Sequence, residues 1–213
     1  MAKEDKSIKL KKLEEKMRED GGLPLKKGAN NLVFGEGNAD ADIMFIGEGP
    51  GYWEDKKARP FVGNAGAFLN QLITIMGMKR EDVFITNVIH YRAPNNRDPL
   101  TEEIEAFRPY VDSMIDIIEP KVIVTLGRFS MAKFVPGVMI SNVHGKHYVV
   151  DWKGKDVVVV PMYHPAAGLR SGEVKRRTME DFKSLPQILK DYSELVKGRE
   201  KRKEKTVKQM NLV

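Results

Sequence analysis

Cysteine is absent from all 213 residues. That excludes a disulfide framework, a thiol nucleophile and any thiolate-held zinc or iron–sulfur centre. The chain has only four histidines, His90, His144, His147 and His164, and with no cysteine beside them a zinc site is not expected. No run of eighteen apolar residues occurs and the N-terminus lacks a hydrophobic signal core, so a soluble, cytoplasmic protein without membrane contact is expected. Neither G-x-G-x-x-G nor G-x-x-x-x-G-K is found, which speaks against Rossmann and P-loop chemistry.

The length suits one well-packed domain with a small appendage, although the apolar fraction is modest at 41% and the charged fraction high at 31%. The net charge of +6 is unevenly spread. Residues 1–20 carry seven Lys/Arg against six Asp/Glu, and residues 190–213 carry eight against four, which leaves one net positive charge for everything between. The basic character is a property of the tail, for which a solvated helical segment is the plainer account. We therefore divide the chain into an N-terminal helix (1–20), a globular domain (21–189) and a basic tail (190–213).

Residues 6–19 place Leu10, Leu13 and Met17 at helical spacing, and a Gly/Pro/Asn-rich loop follows. The apolar run Ile43 to Ile46 suits a buried strand. It leads into the long glycine-rich stretch 47–66, GEGPGYWEDKKARPFVGNAG, whose length and composition mark it as a pocket wall. A helix follows from about Ala65, with Phe68, Leu69, Leu72, Ile73 and Met76 on one face and a stop at Gly77. A second strand spans Val83 to about Ile89. Thr101 is expected to cap a helix from Glu102 to about Ile118, with acids in its first turn. KVIVTLG is a third strand, a short helix lies around Phe129 to Val135, and a hairpin-like region precedes the fourth strand, VVVVPMYHP. The last helices begin near Glu173.

Strands alternating with helices predict an α/β fold, a three-layer α/β/α sandwich around a mostly parallel four-stranded sheet. Ligands bind such sheets at the carboxyl ends of the strands. The loops there, GEGPG, NVIHYRAPNNR, LGRFS and HPAAGLR, are the most unusual in the chain and are expected to converge on one site. Within them Phe61 is either a core side chain or a ring that stacks on a planar ligand. Asn87, ending a buried strand, is either internally paired or offers a donor and an acceptor to a nucleobase edge. His164, directly after a strand and before Pro165, has a frequent catalytic placement. Arg170 and the Asn95, Asn96, Arg97 group could hold phosphates.

Together these segments resemble the family 4 uracil-DNA glycosylases. The resemblance runs from about Asp20 to Leu189 and rests on FGEGN (Phe34–Asn38), GEGPGYWED (Gly47–Asp55), RPFVGNAG (Arg59–Gly66), TNVIHYRAPNNRDP (Thr86–Pro99), IVTLG (Ile123–Gly127) and HPAAGLR (His164–Arg170). It implies a monofunctional glycosylase that flips deoxyuridine out of DNA, releases uracil and leaves an abasic site. Phe61 would stack on the base, Asn87 would pair with N3–H and O4, and His164 would bond O2 as charge builds on the leaving base, with the backbone near Glu48 and Gly49 assisting. Glu48 and Glu54 are the candidates for handling the water, and Glu54 also suits the wall near uracil C5. Asn95, Arg97 and Arg170 would meet the DNA.

The same resemblance carries an expectation that the sequence does not meet. The family holds a four-iron, four-sulfur cluster through four cysteines, and at the matching places stand Asp20, Leu23, Tyr91 and Phe107. No cofactor is therefore expected, with apolar burial in the cluster's stead. Ala58 replaces a usual glycine, and His144 a usual arginine. No histidine-bearing insertion follows Tyr91, so ordinary turnover rather than covalent capture is expected. The expected partner is uracil-containing DNA and the expected state is a monomer. Gln209 to Leu212 is faintly similar to a sliding-clamp peptide but lacks its aromatic pair. The alternative is a catalytically silent nucleic-acid binder on the same fold.

Overall fold

A computed structural model describes residues 5–199. The sequence from 200 onward, including the Gln209–Leu212 stretch, lies outside the described residues. Helices α1 (Lys6–Glu19), α2 (Tyr52–Lys57), α3 (Asn64–Ile75), α4 (Thr101–Ile118), α5 (Arg128–Ala132), α6 (Ile140–Val143), α7 (Pro165–Arg170) and α8 (Gly172–Lys190) surround one sheet. Its strands are β1 (Glu36–Gly37), β2 (Ile43–Gly47), β3 (Phe84–Asn87), β4 (Val122–Leu126), β5 (Tyr148–Trp152) and β6 (Lys155–Met162), in the order β1-β3-β2-β4-β6-β5.

The four strands read from the sequence are the four central ones, and they run parallel. An antiparallel strand is added at each edge, so among the described residues the sheet has six strands. β1 is two residues long, too short to show a period. β5 is the first arm of the hairpin seen in the sequence, closed at Lys153 (φ 49°) and Gly154 (φ 84°), both left-handed as a two-residue hairpin turn requires.

Alternation along each strand builds the two covering layers. On β2, Ile43 and Phe45 join the cluster formed with Phe68, Leu72 and Phe182 of α3 and α8. Met44 and Ile46 join the opposite cluster with Met17 of α1 and Phe107 and Met114 of α4. All four β2 side chains are fully buried, which is why the strand reads as a continuous apolar run. The result is an α/β/α sandwich.

Three local expectations are corrected. Thr101 is the first residue of α4 and not its cap; the preceding backbone N–H, that of Leu100, donates to the Glu103 carboxylate at 2.8 Å. The stretch 47–66 is not all loop, since α2 forms within it. The HPAAGLR segment is likewise helical after His164, with Pro165 in the first turn where its missing N–H costs nothing.

Candidate active site

The carboxyl end of β2 pairs in register with that of β3, which sets Gly47 beside Asn87. Beyond the strands the two chains stay together, Val88 N–H donating to Gly47 O at 3.0 Å and Ile89 N–H to Glu48 O at 3.2 Å. A side chain on Gly47 would come within 2.6 Å of Phe61 Cζ and run into Asn87 Oδ1. Glycine here lets an aromatic ring and an amide meet above the strand end.

That meeting point is the floor of a cavity of 480 Å3. Its wall draws on Glu48, Gly49 and Glu54 from the first loop, Phe61, Asn87, and His164 after β6. Arg97 and Arg170 stand at its mouth; both are exposed. Nine of the ten residues singled out in the sequence thus share one cavity. Asn95 does not line it, and its neighbour Asn96 does.

Asn87 is 1% exposed, and neither Oδ1 nor Nδ2 has a hydrogen-bond partner. A buried amide with both atoms unpaired costs ~2–6 kcal/mol, a cost that a ligand offering one donor and one acceptor would relieve. Phe61 is held in the left-handed region (φ 50°), an uncommon conformation for an aromatic residue, and its ring lies 5.7 Å from that of His164 at 30°.

What holds Phe61 there is Glu54. One carboxylate oxygen, Oε1, accepts the backbone N–H groups of both Val62 and Gly63 at 2.8 Å. The adjacent Asp55 is almost fully buried and ties the other side of α2 to the body, accepting the N–H of Asn30 (2.8 Å) and of Asn31 (3.1 Å). Asn31 Nδ2 donates back to Asp55 O at 2.8 Å. The sequence showed the acidic pair but not this division of labour.

His164 caps α7, its Nδ1 accepting Ala166 N–H at 3.1 Å. That bond leaves the neutral ring's proton on Nε2. Burial, with the Arg170 guanidinium nearby, pushes the imidazole down to about 4, so it is uncharged at neutral pH. Glu48 moves the other way: burial raises its carboxyl above the ordinary value. It is steadied by a contact the sequence reading missed, Phe129 N–H donating to Oε1 at 3.3 Å from the first turn of α5. Gly127 (φ 101°) makes room, since a side chain there would strike the Glu48 carboxylate. The LGRFS loop therefore acts from behind the wall. A glycine between a strand and a short helix was its only signal.

Arg97 is paired with Glu103 through two bonds of 2.9 and 2.5 Å, so its charge is partly committed within the protein. Arg170 stands exposed beside His164.

A mostly parallel α/β sheet thus carries at the carboxyl ends of its strands a cavity lined by an unpaired buried amide, an aromatic ring and a neutral imidazole. The family model of the uracil DNA glycosylase superfamily matches residues 34–184. The chain is 50% identical over 165 residues to the type-4 uracil-DNA glycosylase of Sulfurisphaera tokodaii, covering 74% of each. It is 45% identical over 169 residues to that of Saccharolobus solfataricus, covering 76% of this chain and 78% of the relative. With that of Thermotoga maritima it shares 42% identity over 178 residues, 83% of this chain and 92% of the relative. The chain belongs to the uracil-DNA glycosylase superfamily, as an atypical type-4 member without the iron–sulfur cysteines.

The four places expected to hold a cluster do not fit one. Leu23, Tyr91 and Phe107 are buried in the α1/α4 cluster, with the Tyr91 and Phe107 rings 6.1 Å apart. The fourth, Asp20, accepts the Tyr110 hydroxyl at 2.6 Å. One carboxylate engaged by a phenol, and no thiolate, cannot replace four thiolates. Among the described residues no group of three or more His, Cys, Asp or Glu is placed to hold a metal ion.

Proposed function

We propose that this chain removes uracil from DNA by hydrolysing the N-glycosidic bond of a deoxyuridine flipped into the cavity, leaving an abasic site. The observation that carries this is the Asn87 amide, buried and unpaired beside Phe61. Uracil presents O4 and N3–H side by side and satisfies both its atoms; cytosine presents the reverse and leaves them opposed. An unsatisfied pocket group costs the wrong base ~1–3 kcal/mol. Phe61 stacks on the ring.

As the C1′–N1 bond breaks, its electron pair goes to the base and charge collects on O2. His164, neutral with its proton on Nε2, donates to that oxygen. A charged imidazolium is not needed, consistent with its depressed pKa. Water supplies hydroxide to C1′. Of the two carboxylates we assign the water to Glu48, because one Glu54 oxygen is already taken by two backbone N–H groups. Glu54 instead sets the loop and the wall beside the base. Arg170, with Asn95 and Arg97, meets DNA phosphates on the strand around the extruded nucleotide.

The enzyme works as a monomer without an iron–sulfur cluster, in the cytoplasm on chromosomal DNA. No helix among the described residues is long and apolar enough to cross a membrane. The globular domain spans 21–189, with the N-terminal segment 1–20 contributing α1 (Lys6–Glu19) against it and the basic tail 190–213 adding phosphate contacts; a sliding clamp is a secondary partner.

The experiment is excision from a uracil-containing oligonucleotide followed by alkali, against a thymine control. Strand breaks confined to the uracil strand are expected, and Asn87→Ala and His164→Ala should each lower the rate by about 10²–10³-fold with the fold intact. Folded protein that yields no breaks would instead be the silent binder of the same fold.

A further inference from the structure

The rim of the cavity carries two large aromatic side chains that the chemistry above does not use. Tyr52 and Trp53 open α2, between the cavity-lining Gly51 and Glu54, yet they are 42% and 53% exposed. Their rings pack edge to face, with centroids 5.2 Å apart at 79°. Two cations gather on them. Lys56 Nζ lies 4.8 Å from the Tyr52 centroid and 6.0 Å from that of Trp53, and Arg92 Cζ lies 5.2 Å from Tyr52. Arg92 comes from the other loop of the rim, where its Nε donates to Asn96 Oδ1 at 2.7 Å, and Asn96 lines the cavity.

Exposed aromatic surface normally costs solubility and is retained where it meets something. Here it is continuous with the nucleotide pocket and edged by positive charge. Aromatic rings interleaved with cations are how proteins grip unpaired nucleic acid, stacking on bases while neutralising phosphates. In a duplex the bases beside the extruded nucleotide remain stacked inside the helix. In a single strand they are free to leave it.

We propose that Tyr52 and Trp53 form a stacking platform for an unpaired base flanking the target, with Lys56 and Arg92 facing its phosphates, so that the enzyme grips single-stranded DNA more tightly than a rim without these rings would. This depends on the cavity being the nucleotide site proposed above, but its test does not depend on excision.

A uracil-free oligothymidylate is titrated into the full-length protein while tryptophan fluorescence is followed. Quenching that disappears in Trp53→Phe assigns the contact to that ring rather than to Trp152. By anisotropy, Trp53→Ala should weaken binding of the labelled single strand by about tenfold and binding of a duplex of the same length by less than twofold. Both positions are exposed, and unchanged melting verifies that the variant is folded. Unchanged single-strand affinity, or equal loss on single strand and duplex, overturns the proposal. So does a dimer in size-exclusion chromatography that Trp53→Ala dissolves, because the surface would then serve a second copy of the chain. Stacking without uracil excision would leave the platform standing and sink the activity; excision without stacking would do the reverse.

Discussion

Two titratable groups of the cavity wall, His164 and Glu48, have been moved in opposite directions by burial, and the pH dependence expected of the proposed reaction follows from that. His164 sits at about 4 and stays neutral through the working range, so its loss of function by protonation comes only at strongly acid pH. Glu48 is raised above the ordinary carboxylate value, and in the role proposed for it would have to be ionised to take hold of a water proton. The expected profile is a rate that falls on the acid side through the Glu48 titration, displaced upward from that of an ordinary carboxylate. Glu48→Gln should lower kcat by about 10²-fold at neutral pH and flatten that limb. Single-turnover rates from pH 4 to 8 on both proteins decide it. A glutamine variant with the wild-type rate would take Glu48 out of the water's path and return Glu54 to consideration.

At the scale of elements, the site depends on how α2 is pinned inside a stretch that reads as loop. Asp55 fastens one side of the helix to Asn30 and Asn31, and Glu54 fastens the other to Val62 and Gly63. Asp55→Ala removes a buried carboxylate and strands the N–H groups it accepted, a loss of about 3 kcal/mol. For a chain of this size that lowers Tm by roughly 6–12 °C. Ala58, which ends α2 in the left-handed region (φ 53°), should respond in the opposite sense, Ala58→Gly stabilising by up to about 1 kcal/mol. Calorimetry of the two variants measures both shifts, and an Asp55→Ala protein that melts with the wild type would refute the pinning. This pinning also marks the limit of what could be read in advance. The central strands were legible because each is a short apolar run between turn residues, α1 and α3 because their apolar residues recur at helical spacing, and α4 from the acids of its first turn, although Thr101 does not cap it. The cavity could be foreseen because strand ends converge in this class of sheet. Helices of six residues, such as α2 and α7, are too short to show a period. The bonds that orient the site join residues far apart in sequence, such as Glu48 to Phe129, and no local pattern announces them.

Across the whole molecule, the layer of α1 and α4 is joined by side chains at the four places where the sequence resemblance implied a cluster. Four thiolates on a cluster would cross-link the segment after α1, the loop after β3 and α4. Here those three segments meet through side-chain packing: Leu23 from the first, Tyr91 from the second and Phe107 from the third, with the Phe107 ring also 5.6 Å from His90. The Tyr110–Asp20 bond closes the outer side, and burial together with that carboxylate pushes the Tyr110 phenol up to about 12, so the bond persists through the physiological range. Each large apolar side chain fully buried contributes about 1.5–3 kcal/mol, enough for three of them to take over a structural link. The purified protein is accordingly expected to be colourless, with no visible charge-transfer band, and to unfold at the same temperature with or without an iron chelator. Phe107→Ala should destabilise it by about 3–5 kcal/mol, the range for emptying a fully buried phenylalanine site. A brown protein, or one whose melting temperature drops in chelator, would show that metal is bound after all. A Phe107→Ala variant as stable as the parent would mean that the aromatic contact does not carry the link, and that α1 is held to α4 by the remaining apolar contacts along their length.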